Sequence, residues 1–266
     1  MKSFYYASVC LLNTNKQPIR RIIMYHNFKT DEFEFDGYKC TVVIPENPIK
    51  GNPYIWRAEF LGAFDSVDVE MIKRGYHLIH ISLSDMFGAP PAIDEMYKFQ
   101  KFAEEKYSLS GKAIIFGFSR GGLYTVNFTA AHPEKVDKIY LDAPVLDVMS
   151  WPYGTMRGSH SEHDVEMCAD IYNISDVKEF CGSPIYKIHT LIENKIPVML
   201  VAGDSDTVVP FNENGKILFA DYVRYGGTIN LIVKKGIGHH PHSLENPKDI
   251  ADFLCGNGTG VSFTEV

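Results

Sequence analysis

The sequence predicts an α/β fold: a mostly parallel central sheet with helices on both faces. Three observations predict it. From about residue 54 onward, short apolar runs alternate with segments of helical period. The runs at 113–116 and 196–202 are continuously apolar, as strands buried on both faces are. Residues able to do chemistry stand at the ends of such runs, where open parallel sheets bind their ligands.

Taken in order, the first fifty residues read as β. A strand is expected over 21–28. A second extended stretch, 31–44, is interrupted by Asp36-Gly37, a hairpin signal between extended runs. Pro45, Pro48, Gly51 and Pro53 mark a connecting loop. Tyr54-Ile55-Trp56 is a short apolar strand. Residues 65–74 form a short helix that stops before Gly75. A strand follows at 76–83, then a turn-rich loop at 84–91. Residues 93–107 carry Met96, Tyr97, Phe99, Phe102 and Ala103 at helical spacing, with charge on the other positions. After the strand at 113–116, Leu123, Val126 and Ala130 define a helix that ends near Pro133. Residues 136–141 are a strand ending at Asp142-Ala143-Pro144.

Between 145 and 195 the alternation of strand and helix is lost. This stretch is expected to be a lid inserted between two strands, with short helices inside it. The remaining elements are the strand at 196–202, a helix at 214–225, a strand at 228–233 and a last helix at 246–254, with Pro247 near its start. No repeat or low-complexity tract is present. Residues 1–266 are therefore expected to be a single domain with the lid within it.

Composition narrows the function. Apolar residues make up 45% of the chain, enough for a real core and against intrinsic disorder. A net charge of −7 without a basic stripe argues against nucleic acid as the main partner. No apolar run approaches a membrane span. Residues 4–12 are too polar for a signal-peptide core, and a strand or arm is expected there. Five scattered cysteines, Cys10, Cys40, Cys168, Cys181 and Cys255, contain no C-x-x-C and frame neither a disulfide scaffold nor a zinc knuckle. Cys168 and Cys181 would pair only in an exported protein, and spacing leaves the compartment open. No dinucleotide fingerprint or P-loop occurs, so no cofactor is expected.

The stretch that organises the chemistry is Gly117-Phe118-Ser119-Arg120-Gly121, a G-x-S-x-G pattern between a buried strand and a helix. A nucleophile on such a sharp turn has a strained backbone, and side chains two positions to either side would clash. The turn lifts the Ser119 hydroxyl above the sheet. It also aims the Arg120 N–H, at a helix N-terminus, at the place where an oxyanion would form. A serine needs a base, and the base needs a group to hold it. The order Ser119, Asp206, His239 is the nucleophile–acid–base order of α/β-hydrolases.

The chain resembles the α/β-hydrolase superfamily, and within it bacterial esterase-type or prolyl-oligopeptidase-like hydrolases. The resemblance rests on residues 117–121, on the turn Gly203-Asp204-Ser205-Asp206-Thr207-Val208-Val209-Pro210 and on the loop Gly238-His239, and it covers most of the chain. It implies that Ser119 is the nucleophile. It also implies that Asp206 is the acid, with Asp142 and Asp204 as rivals. His239 becomes the base, with His240 as its rival and His242 as a loop anchor. One oxyanion donor would be the Arg120 N–H. The second would follow the 54–56 strand, at Arg57 or Ala58, where the family's common His-Gly is replaced.

Several side chains have two readings. The Arg57 and Arg120 side chains would either meet a substrate carboxylate or sugar hydroxyls, or brace the loops. Trp56, Trp151, Phe60 and Tyr153 would line a pocket wall or simply pack; Trp56, Trp151 and His240 are the substrate-binding candidates. A metal held by the three nearby histidines is the weaker alternative, because no cysteine or carboxylate ligand set accompanies them.

The activity so implied is hydrolysis of a small-molecule carboxylic ester, for example a short acyl group on a carbohydrate. A peptidase or thioesterase with the same triad is the nearest rival, and ester is favoured because this sequence shows no propeller domain. A catalytically silent hydrolase fold acting as a binding module is the reading of a different class.

Overall fold

The structure, a computed structural model, describes residues 21–256 and 260–266. The arm expected at 4–12 and Cys10 lie outside the described residues. Strands β1 (Arg21–Tyr25), β2 (Phe28–Phe35) and β3 (Tyr38–Ile44) form two successive hairpins. The strand expected over 21–28 is thus two strands. His26 and Asn27 sit at φ 47° and 70°, the same left-handed pair as Asp36 and Gly37 at 47° and 86°. Positive φ at both central residues is what a two-residue type I′ turn demands, and the apolar pattern alone hid the first of the two.

The parallel part follows: β4 (Tyr54–Arg57), α1 (Ser66–Lys73), β5 (His77–Ile81), α2 (Pro90–Tyr107), β6 (Ala113–Phe118), α3 (Gly121–Ala131) and β7 (Val136–Asp142). After β7 the 145–195 segment holds α4 (Glu162–Tyr172) and α5 (Ile188–Glu193). The chain then runs through β8 (Val198–Gly203), α6 (Gly215–Tyr225), β9 (Ile229–Lys234) and α7 (Lys248–Cys255). A further strand, β10 (Val261–Glu265), pairs parallel with β9 and was not expected. Its side chains are exposed, so it lacks the buried-strand signature that marks the others.

Among the described residues these strands form one sheet in the order β1-β2-β3-β5-β4-β6-β7-β8-β9-β10, antiparallel up to the β3–β5 pair and parallel beyond it. The order reverses between β4 and β6, and the loops leaving those two strands flank the crevice where such sheets bind ligands. This is the α/β-hydrolase fold.

Two apolar layers sandwich the sheet. One contains Val67, Met71 and Ile72 of α1 and Ile250, Ala251 and Leu254 of α7. The other contains Met96 and Phe99 of α2, Leu123 and Val126 of α3, and Leu218 and Tyr222 of α6. Helix α3 is buried all round from Gly121 to Thr129. A helix apolar on every side needs cover on every side, and the 184–193 part of the 145–195 segment packs against it. Cys168 is a buried free thiol, its pKa pushed up to about 12 by burial, and Cys181 is an exposed one. The conditional Cys168–Cys181 pairing is therefore not made.

Candidate active site

Ser119 sits between β6 and α3 at φ 48°, in the left-handed region a non-glycine residue enters only under constraint. The constraint is visible. Its N–H donates to Asp142 O (2.9 Å), and its carbonyl accepts from Gly122 N and Val145 N (both 2.9 Å). A Cβ on Gly117 would lie 2.5 Å from Thr125 Oγ1 and 2.8 Å from Gly121 O, so this first motif glycine is required by close approach. At Gly121 a Cβ would meet Glu59 Cβ at 3.3 Å, a milder contact. At Gly122, outside the pattern, it would meet Pro144 Cβ at 2.7 Å. The tighter requirement therefore falls one residue later than the motif suggests.

His239 connects the other two residues. Its Nε2 is 2.9 Å from Ser119 Oγ, and its Nδ1 is 2.7 Å from Asp206 Oδ2. Asp206 Oδ1 accepts from Val208 N (2.8 Å) and Val209 N (2.9 Å), which fixes the carboxylate plane. The acid turn and the histidine loop are joined at Gly203, where a Cβ would lie 2.2 Å from Ile237 O. Ser205 N–H donates to the same carbonyl (3.0 Å). The rival acids are engaged elsewhere. Asp204 accepts from Gly236 N (2.7 Å) and Ser205 Oγ (2.9 Å). Asp142 accepts from Ser243 N (2.7 Å) and Tyr140 Oη (2.9 Å) and lies 2.9 Å from His242 Nδ1. His242 thus anchors its loop through Asp142. His240 is exposed and stacks on Phe64, with ring centroids 5.4 Å apart. Partial burial and the two neighbouring histidines hold its pKa below the ordinary value.

The Ala58 N–H, one expected oxyanion donor, is taken: it donates to Phe116 O (3.1 Å), continuing the β4–β6 ladder. The N–H groups of Glu59, Phe60 and Arg120 have no acceptor among the described residues. Strand β4 runs one residue past the expected 54–56 stretch, so Ala58 still belongs to its ladder.

Arg57 is buried, with its guanidinium 3.7 Å from the centre of the Phe118 ring. It donates to Asp68 Oδ2 (2.7 Å), Glu59 O (2.9 Å), Phe60 O (3.4 Å) and Ala63 O. It therefore ties the 59–63 turn to α1. The Arg57 carbonyl accepts from His80 Nδ1 (2.8 Å). Burial pushes the His80 pKa down to about 4, so the ring is the neutral donor this bond needs. Burial also pushes Asp68 up to about 6 even with Arg57 pulling it back. Arg120 pairs with Glu59 (2.9 Å) and, across the 145–195 segment, with Asp164 (3.4 Å). Both arginine side chains brace loops, and neither is left to meet a substrate carboxylate. Arg57→Ala is expected to cost about 3–5 kcal/mol, because it strands a buried carboxylate. Chemical denaturation followed by circular dichroism measures it, and a loss under 1 kcal/mol contradicts the bracing role.

A cavity of about 200 Å³ opens beside Ser119 and is lined by Arg57, Phe60, Ala63, Phe64, Phe118, Ser119, His239, His240 and His242. Trp56 and Trp151 do not line it. Side chains alternate along β4, so Tyr54 and Trp56 point into the α2–α3 layer, where Trp56 packs on Phe99 and Phe128. Trp151 stacks on the buried Phe87 at 6.2 Å. Of the expected wall residues and substrate contacts, Phe60 and His240 are at the cavity and Tyr153 is not. Phe64 and His242 were missed as wall residues. Their signal in the sequence is partial: Phe64 lies in the loop after β4, and His242 reads as a loop anchor rather than a wall.

Residues 85–256 match the prolyl oligopeptidase family. No curated protein matches the chain. Among solved structures, a puromycin-hydrolyzing peptidase from Mycobacterium tuberculosis aligns with a TM-score of 0.63 at 14% identity, covering 94% of this chain and 41% of that one. Est1E from Butyrivibrio proteoclasticus aligns at 0.59 and 16% identity, covering 85% and 97%. An acylaminoacyl peptidase from Pyrococcus horikoshii aligns at 0.57 and 12% identity, covering 84% and 37%. The chain thus spans less than half the length of these two peptidases. At such identities the likenesses show the fold. Among the described residues no helix is long and apolar enough to cross a membrane.

Proposed function

The chain belongs to the prolyl oligopeptidase family of serine hydrolases, and on that premise we propose that it cleaves the carboxylic ester of a short acyl group through an acyl-enzyme. Ser119 Oγ attacks the acyl carbon while its proton passes to His239 Nε2. Asp206 holds the histidine tautomer and stabilises the imidazolium. The Arg120 N–H and an N–H of the Glu59–Phe60 turn receive the oxyanion. His239 then gives its proton to the departing alcohol, and a water molecule repeats the sequence to release the acid. The 145–195 segment reaches the site through Asp164, paired to Arg120, and supplies none of the residues that line the cavity.

The observation that carries the ester reading is the cavity. It holds about 200 Å³, its walls are aromatic rings, Ala63 and imidazoles, and its arginine is already paired to Asp68. Such a space favours a short uncharged acyl group over an extended peptide. The peptidase reading draws on the family match itself and on the two peptidase folds.

Hydrolysis of p-nitrophenyl acetate, butyrate and octanoate beside a set of aminoacyl p-nitroanilides decides between them. We expect kcat/KM for the two short esters to exceed that for octanoate by more than about tenfold, as a pocket wall that rejects added methylenes does. Faster cleavage of any anilide than of its matched ester would select the peptidase. No turnover of any substrate, with tight ligand binding, would select the silent module.

A further inference from the structure

Three histidines stand together at the mouth of the cavity. The rings of His239, His240 and His242 lie 4.8, 5.0 and 4.9 Å apart, centroid to centroid, and meet edge to face at 64°, 81° and 87°. Each offers a ring nitrogen, and these atoms all lie within 4.8 Å of one another. A zinc–imidazole bond is about 2.0–2.1 Å, which places each ligating ring centroid about 3.2 Å from the ion and neighbouring centroids about 5.2 Å apart at the tetrahedral angle. The rings therefore already stand within about half an ångström of the spacing such a site needs. The nitrogens, now within 4.8 Å of one another, must close to about 3.4 Å when an ion binds, and side-chain rotation has to supply that closure.

The remaining requirement is a set of partners behind the rings. A ligating histidine gives its other ring N–H to a carboxylate or carbonyl, which fixes its tautomer and orientation. Here Asp206 holds Nδ1 of His239 at 2.7 Å, and Asp142 holds Nδ1 of His242 at 2.9 Å. Both Nε2 atoms are thereby left as the ligating positions. His240 is exposed and gives an ion access from solvent. The sequence argued against a metal because no carboxylate ligands accompany the histidines. The fold supplies carboxylates behind the rings instead.

We propose that His239, His240 and His242 bind zinc, and that the bound ion takes the His239 Nε2 lone pair away from Ser119. Imidazole donors select zinc over magnesium or calcium, so the site would be a reversible off-switch specific to zinc-like ions. The inhibition rests on His239 being the base of the proposed hydrolase; the binding does not.

Equilibrium dialysis of the tag-free chain against zinc, with cobalt(II) absorption as a second readout, tests the site. One ion per chain is expected. Affinity should fall at least tenfold in His240→Ala and in His242→Gln and stay unchanged in Ser119→Ala. The visible bands of four-coordinate cobalt should appear in the wild type and vanish in His240→Ala. His240 is exposed, so this variant is expected to keep its fold, which its circular dichroism verifies. No zinc retained at micromolar concentrations, or equal affinity in His240→Ala, overturns the proposal. Zinc should also abolish ester hydrolysis, with recovery on adding EDTA. Full activity with one zinc bound would overturn the capture of His239 while leaving the binding site standing.

Discussion

Ser119→Ala is expected to lower kcat by on the order of 10⁶, the scale at which losing the nucleophile of a hydrolytic triad removes everything but transition-state binding. The magnitude follows from the geometry. Ser119 Oγ is the atom that His239 Nε2 reaches, at 2.9 Å, and the Arg120 N–H beside it has no other acceptor among the described residues. On the proposed mechanism no acyl-enzyme forms without the hydroxyl, and the free N–H groups are left to stabilise only the slow direct attack of water. The fold should survive. The φ of 48° is imposed by backbone hydrogen bonds that alanine also makes. Intact-mass analysis after a fluorophosphonate should show one adduct in the wild type and none in the variant. Turnover within tenfold of wild type would place the nucleophile elsewhere.

The second large effect separates the two buried aspartates. Asp206→Asn should lower kcat by about 10⁴, because the amide favours the wrong tautomer of His239. Asp142→Asn should lower kcat by no more than about tenfold and destabilise the fold by about 3 kcal/mol, because it breaks a buried pair with His242. Burial works to raise the Asp142 pKa, but the His242 hydrogen bond and charge, with Lys234 behind them, hold it below the usual carboxylate value. A depressed pKa in the folded state means that this pair stabilises above the unfolded-state carboxylate pKa. The contribution is lost as the pH falls through the folded value. Kinetics and thermal unfolding of both variants check the contrast. A reversed pattern, with Asp142→Asn the slow enzyme, would make Asp142 the acid.

Most of the fold could be read from the chain because parallel strands buried on both faces leave continuous apolar runs, which alternate visibly with helices. Strands outside that environment were harder to see. The His26-Asn27 turn and the exposed β10 carry weak local patterns, and their place depends on the neighbouring strand. Ser119, Asp206 and His239 stood out because each lies in a short segment whose neighbours are set by local geometry: a strained turn, an acid turn, a glycine before the histidine.

What the sequence by itself determined is the list of chemical groups and the strand ends that carry them, since both follow from periodicity and turn chemistry within a few residues. What only the tertiary structure decided is how those groups pair. Asp206 rather than Asp142 or Asp204 meets His239, Arg57 turns inward to Asp68, Trp56 faces the α2–α3 layer, and Ala58 donates to Phe116 rather than to the cavity. Apart from Arg57 and Asp68, eleven positions apart, these pairings join residues distant in the chain, and sheet register and burial select among acceptors that local sequence leaves equivalent.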